Sequence, residues 1–158
     1  MAQTQIEVAV SRIKTAGHDI SDEYPKERCI EFLNTAIQQT AAYLIAANYP
    51  PLVQEELIRT GDTIPKNYMK PCGNYPIKMT NGQAIIIDEN VSSIKFRYFA
   101  TPEEITTESL NMPFKHTGIN DVVIRLATML ALNENEYDLT QDKVLLDTLQ
   151  QAISSGMS

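Results

Sequence analysis

The most regular pattern of apolar and polar positions in the chain runs from Pro25 to Asn48. Pro25 suits the first turn of a helix, where its missing N–H costs nothing, and two prolines after Tyr49 end the pattern. At 1.5 Å per residue, a helix over this stretch is about 36 Å long and spans a small protein from end to end. The rest of the core must therefore pack on it. Its apolar side chains recur three or four residues apart and share one helical face: Cys29, Phe32, Leu33, Ala36, Ile37, Tyr43, Leu44 and Ala47.

Three shorter helical patterns accompany this long helix. Residues 3–16 predict a first helix, which closes at Gly17. Residues 119–133 predict a third helix, with six apolar side chains on one face. Residues 140–153 predict a last helix, which Thr140 caps. The chain thus has helical patterns at both ends and a different character in its middle.

Strand signals lie between the second and third helical patterns. Asn81 and Gly82 form the strongest short hairpin signal, so Tyr75–Met79 and Gln83–Asp88 are expected to pair across them. Ile94–Phe99 alternates, with Ile94, Phe96 and Tyr98 on one side and Lys95, Arg97 and Phe99 on the other, and is expected to add a third strand. The middle of the chain therefore predicts a small antiparallel sheet.

Three segments have weaker patterns. Residues 52–60 show helical spacing over about two turns, ended by Gly61. Residues 101–104 have the form of a capping box with proline at the first helical position, which predicts a brief helical turn. Residues 106–118 are irregular and too long for a simple connector. Loops of that length are usually functional or become ordered on a partner.

The order of these elements predicts a mainly helical α+β fold, a four-helix bundle with a small antiparallel β insertion between helix 2 and helix 3. At 158 residues, one domain is expected. The chain lacks an apolar run that could cross a bilayer, and its first residues lack a secretory pattern, which favours a cytoplasmic site of synthesis. The helical parts of the domain are expected at residues 1–60 and 119–153, and a β-rich insertion at 62–100. A partner-contacting loop is expected at 101–118 and a tail at 154–158.

The charge of the chain limits the classes of partner. Thirteen basic against twenty acidic residues give a formal charge of −7, which disfavours a surface that grips the phosphate backbone of DNA. An acidic surface still allows DNA to pass without being held. Residues 66–99 combine aromatic and basic side chains, so a base-stacking platform is one interpretation, and core packing of the aromatic rings is the favoured one. The basic residues of this stretch also suit an acidic neighbouring subunit: Lys66, Lys70, Lys78, Lys95 and Arg97.

The sequence offers no pattern for a catalytic or metal centre. His18 and His116 each stand alone in a polar stretch, and Cys29 and Cys72 lack the spacing of a zinc site or a redox dithiol. The adjacent acidic pairs at 55–56 and 103–104 are interpreted as solvated faces, because neighbouring helical residues point in different directions. A protein without enzymatic activity and without a cofactor is therefore expected.

Several segments, taken in order, resemble one protein family. The long helix contains FLNTAI with Asn34 at its middle, IPKNYMK spans residues 64–70, and Tyr-Pro-Ile follows at 75–77. IKFRYFATPEEIT begins at Ile94, and a Met-Pro-Phe loop occupies residues 112–114 before the two C-terminal helices. This order resembles the head-to-tail adaptor proteins of tailed bacteriophages, also called connector or head completion proteins, over nearly the full chain.

The resemblance implies a structural virion protein that assembles as a ring, expected to be a dodecamer, below the portal protein. Such a ring extends the channel for double-stranded DNA, which passes without specific binding, and provides the platform for the tail or a second neck protein. The resemblance also implies that the protein is made in the host cytoplasm, becomes part of the virion and has no membrane as a partner. The polar face of the long helix, with Lys26, Glu31, Gln38 and Gln39, is expected to face a neighbour or the lumen. The expected partner interface comprises Lys95, Arg97, Met112, Phe114, Leu145, Leu149 and Ile153.

A function of a different class remains open at this point. A small nucleic-acid-binding or regulatory module would use the aromatic and basic residues of 66–99 instead of assembling into a ring. The two functions differ in what the protein binds, because one predicts protein partners and the other predicts retention of DNA.

Overall fold

A computed structural model describes residues 5–16, 25–132 and 137–157 of the chain. Four α-helices and five β-strands follow one another in the order helix, helix, strands, helix, helix within these ranges. Two short 3-10 turns, Pro50–Leu52 and Leu139–Gln141, precede the first strand and the last helix. The regular elements are α1 Ile6–Ala16, α2 Lys26–Ala46, β1 Val53–Arg59, β2 Tyr68–Pro71, β3 Ile77–Thr80, β4 Gln83–Ile86, β5 Ser93–Ala100, α3 Thr117–Leu132 and α4 Lys143–Met157.

The four helices share one apolar core. α2 packs against α3, and α3 packs against both α1 and α4. The helical periodicity of the sequence is confirmed for all four helices, with boundaries that differ by a few residues. The predicted stop at Gly17 lies outside the described residues. The cap of α4 differs from the prediction, because Asp142 rather than Thr140 accepts the backbone N–H of Leu145, at 3.1 Å.

The predicted hairpin is confirmed, and the predicted third strand joins a different sheet. β3 and β4 pair across Asn81 and Gly82, whose φ angles of 51° and 76° are those of a left-handed two-residue turn. β5 instead lies at the centre of a separate three-stranded antiparallel sheet, in the order β1-β5-β2. The single small sheet expected from the sequence is thus two sheets.

The helical prediction for residues 52–60 is wrong. Residues 53–59 form β1, which pairs with β5 over its whole length, from Val53 opposite Phe99 to Arg59 opposite Ser93. The spacing of the few apolar residues in this segment fits a helix or a strand, and pairing with the long strand β5 decides the outcome. Gly61, at φ 95°, ends the strand in a turn.

The expected fold class, a four-helix bundle with a small β insertion, is therefore wrong. The strands occupy the chain between two pairs of helices and build two antiparallel sheets. They also have an apolar core of their own, separate from the helical core and formed by the facing sides of the two sheets. This second core contains Ile58, Ala84, Phe96, Tyr98 and Ala100, with Tyr68, Tyr75, Ile77 and Met79 packed against it.

Residues 101–116, here called the strap, connect the sheet to α3 without regular secondary structure apart from one bridge residue. The helical turn predicted for 101–104 is wrong, because the N–H of Thr101 instead donates to the carbonyl of Asn67 at 3.1 Å. Further along the strap, the carbonyl of Leu110 accepts the N–H of Ile6 at 3.0 Å. Backbone bonds to other segments therefore replace the predicted local helix.

Every helix within the described ranges is too short or too polar to cross a lipid bilayer.

Candidate partner interface

The three-stranded sheet separates its charged side chains onto two faces. Side chains alternate along a strand, and residues directly opposite each other on antiparallel strands share a face. Glu55 lies opposite Arg97, and Leu57 lies opposite Lys95, so these four side chains share one face. Glu56 lies opposite Phe96 and therefore points to the other face.

The first face carries an excess of basic side chains. Four of its side chains are basic and one, Glu55, is acidic. Lys95 and Arg97 are exposed, and neither forms a salt bridge with any described residue. Directly opposite Lys95 on the neighbouring strand stands Leu57, a large apolar side chain that is 52% exposed. This surface is called the basic face, and it comprises Glu55, Leu57, Arg59, Lys70, Lys95 and Arg97.

Lys70 joins the basic face to the helical body. Its ammonium group donates to Oδ1 of Asn48 at 2.8 Å and lies 5.3 Å from the centroid of the Phe99 ring. The nearby Cys72 is exposed at the end of β2. Desolvation raises the pKa of its thiol, and the positive charges of Arg97 and Lys70 act in the opposite direction. The contacts with Asn48 and Phe99 hold Lys70 from two sides.

A groove opens at the other face of the same sheet. Its depressions, each with a volume of about 350 Å³, lie between the end of β5, the turn before β2 and the start of the strap. Three carboxylates and one ammonium group line it, and the ammonium of Lys66 lies 3.2 Å from Oε1 of Glu103. Both partners of this ion pair are well exposed, so the pair contributes little to stability. The surface is called the acidic groove, with Glu56, Lys66, Pro102, Glu103 and Glu104 at its rim.

Tyr98 forms part of the groove floor. Burial raises the pKa of its hydroxyl, and the charge of Glu56 together with its side-chain hydrogen bond to Tyr98 raises it further. The hydroxyl therefore stays protonated and can serve as a hydrogen-bond donor to Glu56. Glu56 and Tyr98 line the same depression of the groove.

The structure separates the seven residues that the sequence assigned to a partner interface. Lys95 and Arg97 are exposed on the basic face. The other five side chains are buried in the helical core of the chain itself, so a partner that approaches the folded protein meets their neighbours instead. These five are Met112, Phe114, Leu145, Leu149 and Ile153. Burial on the chain's own helices is the physical reason that they are unsuited to an interface.

The polar face of α2 binds the chain's own loops, although it was expected to face a neighbour or the lumen. Lys26 donates to the carbonyl of Thr107 at 3.0 Å, and Gln38 donates to that of Pro102 at 3.5 Å. Gln39 donates to the carbonyl of Tyr137 at 3.4 Å and accepts the N–H of Leu139 at 3.0 Å. Glu31 is exposed.

Asn34, at the middle of α2, makes the closest of these loop contacts. Its amide donates to the carbonyl of Ile105 at 2.9 Å and accepts the N–H of the same residue at 2.8 Å. This pair of hydrogen bonds satisfies both backbone groups of one strap residue. These bonds fasten the strap to the middle of α2. Met112 and Phe114 anchor the second half of the strap in the helical core.

The aromatic rings of residues 66–99 are core residues. Phe96 stacks on Tyr98 at 5.4 Å between centroids and meets the edge of Tyr75 at 4.9 Å. Phe96, Tyr98 and Phe99 are buried, so their faces are not presented to nucleic-acid bases. The favoured interpretation of these rings is confirmed.

The described residues hold no group of three histidine, cysteine, aspartate or glutamate side chains that could bind a metal ion. His116 caps the first turn of α3, where its Nδ1 accepts the N–H of Gly118 at 3.0 Å. His18 lies outside the described residues. The one histidine that is described thus has a local structural contact.

Sequence reasoning missed Leu57 and the acidic groove as surface features. The spacing of residues 52–60 predicts a short helix, which conceals the place of Leu57 beside Lys95. The adjacent pair Glu103 and Glu104 predicts a solvated helical face and not the rim of a groove. Two sequence signals point to Lys95 and Arg97: the alternation within β5 and the cluster of basic residues in 66–99.

No protein-family model and no curated protein matches this chain.

Proposed function

We propose that this chain is a structural protein of a tailed-bacteriophage virion, a subunit of the ring that connects the head to the tail. The ring would lie below the portal protein, extend the DNA channel and provide the platform for the tail or a second neck protein. Two lines support the proposal. One is the resemblance carried by FLNTAI, IPKNYMK and IKFRYFATPEEIT, and the other is the order of two helices, strands and two helices.

The observation that carries the proposal is the exposed surface of the strand region. Of the eight large apolar side chains that are exposed among the described residues, four lie in this region: Leu57, Met69, Ile85 and Ile87. β1 and β2 are outer strands of the three-stranded sheet. Exposed apolar side chains on outer strands favour contact with other chains. A protein whose work is assembly has a use for such a surface.

The charge of the chain suits a channel wall. A formal charge of −7 on each subunit, repeated around a ring, repels the phosphate backbone. DNA would then pass through the lumen without being held, because retention needs basic side chains that displace counterions.

The test of the proposal is assembly with the portal. The purified chain is mixed with the portal protein of the same phage and observed by native mass spectrometry and electron microscopy, and purified virions are analysed for the chain. A ring seated on the portal, and the chain in the neck of the virion, are the expected results. A chain that stays monomeric with the portal present and retards DNA at physiological salt would refute the proposal.

Truncation of the C-terminal helix is unsuitable as the interface test. Leu145, Leu149 and Ile153 of α4 lie in the helical core, so removal of the helix would expose that core and unfold the chain. Substitution of exposed side chains separates loss of assembly from loss of folding.

A further inference from the structure

We infer that the basic face of one copy docks into the acidic groove of the next copy, so that neighbouring subunits join head to tail through opposite faces of the same sheet. The inference rests on the proposed ring and names the two surfaces that would meet in it. The occupant of the groove is therefore a second copy of this chain.

Charge complementarity is the first support. The basic face presents four basic side chains against one carboxylate, and the acidic groove presents three carboxylates against one lysine. Lys95 and Arg97 are exposed and without a salt bridge to any described residue, so their charges are available to a neighbour. Opposite potentials on two surfaces speed encounter and fix the register of the contact.

Apolar complementarity is the second support. Leu57 projects from the middle of the basic face with 52% of its surface exposed. Pro102, Tyr98 and Ala100 are among the residues that line the groove, and they offer apolar atoms against which Leu57 of a neighbouring copy would pack. Interfaces are typically built in this way, with an apolar anchor in a pocket and charged residues around it.

The placement of the two surfaces is the third support. Because Lys95 and Glu56 point to opposite sides of one sheet, the two surfaces cannot meet within one chain or close a symmetric pair. Two different patches on one subunit give a head-to-tail contact, which propagates into a ring when its rotation closes. A ring requires this kind of contact at every interface.

The experiment uses two full-length variants, each with one surface reversed. K95E/R97E reverses two of the four basic charges of the basic face and keeps the groove intact, whereas E103K/E104K reverses two of the three carboxylates of the groove and keeps the basic face intact. All four side chains are exposed, so both variants are expected to fold, and circular dichroism checks this. The matched control K78E/D147K reverses one basic and one acidic exposed side chain outside both surfaces.

Analytical ultracentrifugation at about 20 mM salt, where charge interactions are weakly screened, measures the association. The wild type and the control are expected to self-associate, and each variant alone is expected to do so at least about tenfold more weakly. A mixture of the two variants is expected to form a one-to-one complex, because only one intact basic face and one intact groove remain. The association should weaken as salt is raised.

A second pair of variants tests the apolar anchor without changing any charge. L57A removes an exposed side chain from the basic face, and L132A removes a leucine of similar exposure, 49%, from the end of α3, outside both surfaces. L57A is expected to weaken self-association, and L132A is expected to leave it at the wild-type level.

Three outcomes would overturn the inference: a wild type that stays monomeric, variants that associate as the wild type does, or a mixture that forms no complex. If rings form on the portal while the reversed variants assemble normally, the docking surfaces are wrong and the connector function stands. If the chain is absent from the neck of the virion, the connector function itself fails, whichever surfaces pair in solution.

Discussion

Asn34 is expected to contribute more than any other α2 side chain to holding the strap. Its side-chain amide makes two hydrogen bonds to the backbone of Ile105, at 2.9 and 2.8 Å, across 71 positions of sequence. Asn34→Ala removes both bonds at once and leaves the N–H and the carbonyl of Ile105 without these partners. Because Ile105 is buried and Asn34 half-buried, water replaces the lost bonds only in part.

The expected cost follows from these two bonds. Each contributes about 1 kcal/mol net, and leaving a poorly hydrated backbone group unpaired costs up to about 3 kcal/mol. Alanine regains about 0.5 kcal/mol of helix propensity relative to asparagine. Asn34→Ala is therefore expected to lower the free energy of unfolding by about 2 kcal/mol, since the partial hydration of the site limits the larger figure.

Urea unfolding followed by circular dichroism measures this change as a lower midpoint with an unchanged slope. Thr35→Ala is the matched control, because Thr35 is exposed and, among the described residues, its hydroxyl bonds only to the carbonyl of Glu31 in its own helix. Asn34→Asp keeps the acceptor for the N–H of Ile105 but places a carboxylate against the Ile105 carbonyl. Its loss of unfolding free energy should be smaller in acid, where the protonated carboxyl can donate to that carbonyl. Surface substitutions usually change the free energy of unfolding by up to about 0.5 kcal/mol. If the free energies of unfolding of Asn34→Ala and Thr35→Ala differ by less than this amount, the strap is held by other contacts.

Three further predictions concern the start of α4, the hairpin and the strand core. The hydrogen bond from Tyr137 lowers the pKa of the Asp142 carboxyl in the folded protein. The ionised carboxylate therefore stabilises the fold at pH values above the ordinary aspartate pKa, and this contribution is lost as the pH falls through the lowered pKa. Asp142→Ala should lower the free energy of unfolding by about 1 kcal/mol at neutral pH and reduce its decrease in acid, as urea unfolding across pH measures. Gly82→Ala should cost about 1 kcal/mol in thermal or urea unfolding because φ is 76°, whereas Gly73→Ala, with open space around its added methyl and no positive φ, should stay within about 0.5 kcal/mol of wild type. Phe96→Ala should cost about 3–5 kcal/mol in urea unfolding, because it empties the centre of the strand core, and a smaller loss would show that the core collapses around the gap.

The helices could be predicted from the sequence because each buries one long stripe of side chains. α2 carries ten buried residues at helical spacing, and that period leaves little room for another structure. The hairpin at Asn81 and Gly82 could be predicted for a local reason as well, because both residues adopt the positive φ that this turn needs.

The sheet could not be predicted because its pairing is not local. β1 has too few apolar positions to distinguish a helix from a strand, and its partner β5 begins 34 positions after β1 ends. The strap posed the same problem. Met112 and Phe114 are apolar residues in an irregular loop, a pattern that a partner or the chain's own helices can equally cover. Only the tertiary contacts show that the helices cover them.

The candidate interface depends on β5 more than on any other element. Phe96 and Tyr98 of this strand lie in the strand core, Phe99 lies in the helical core, and Lys95 and Arg97 stand on the basic face. One strand therefore joins both cores and orients the charges that a neighbouring subunit would meet. A core substitution in β5 is expected to disturb folding and the proposed docking together, whereas exchange of its exposed basic residues is expected to alter the proposed docking alone.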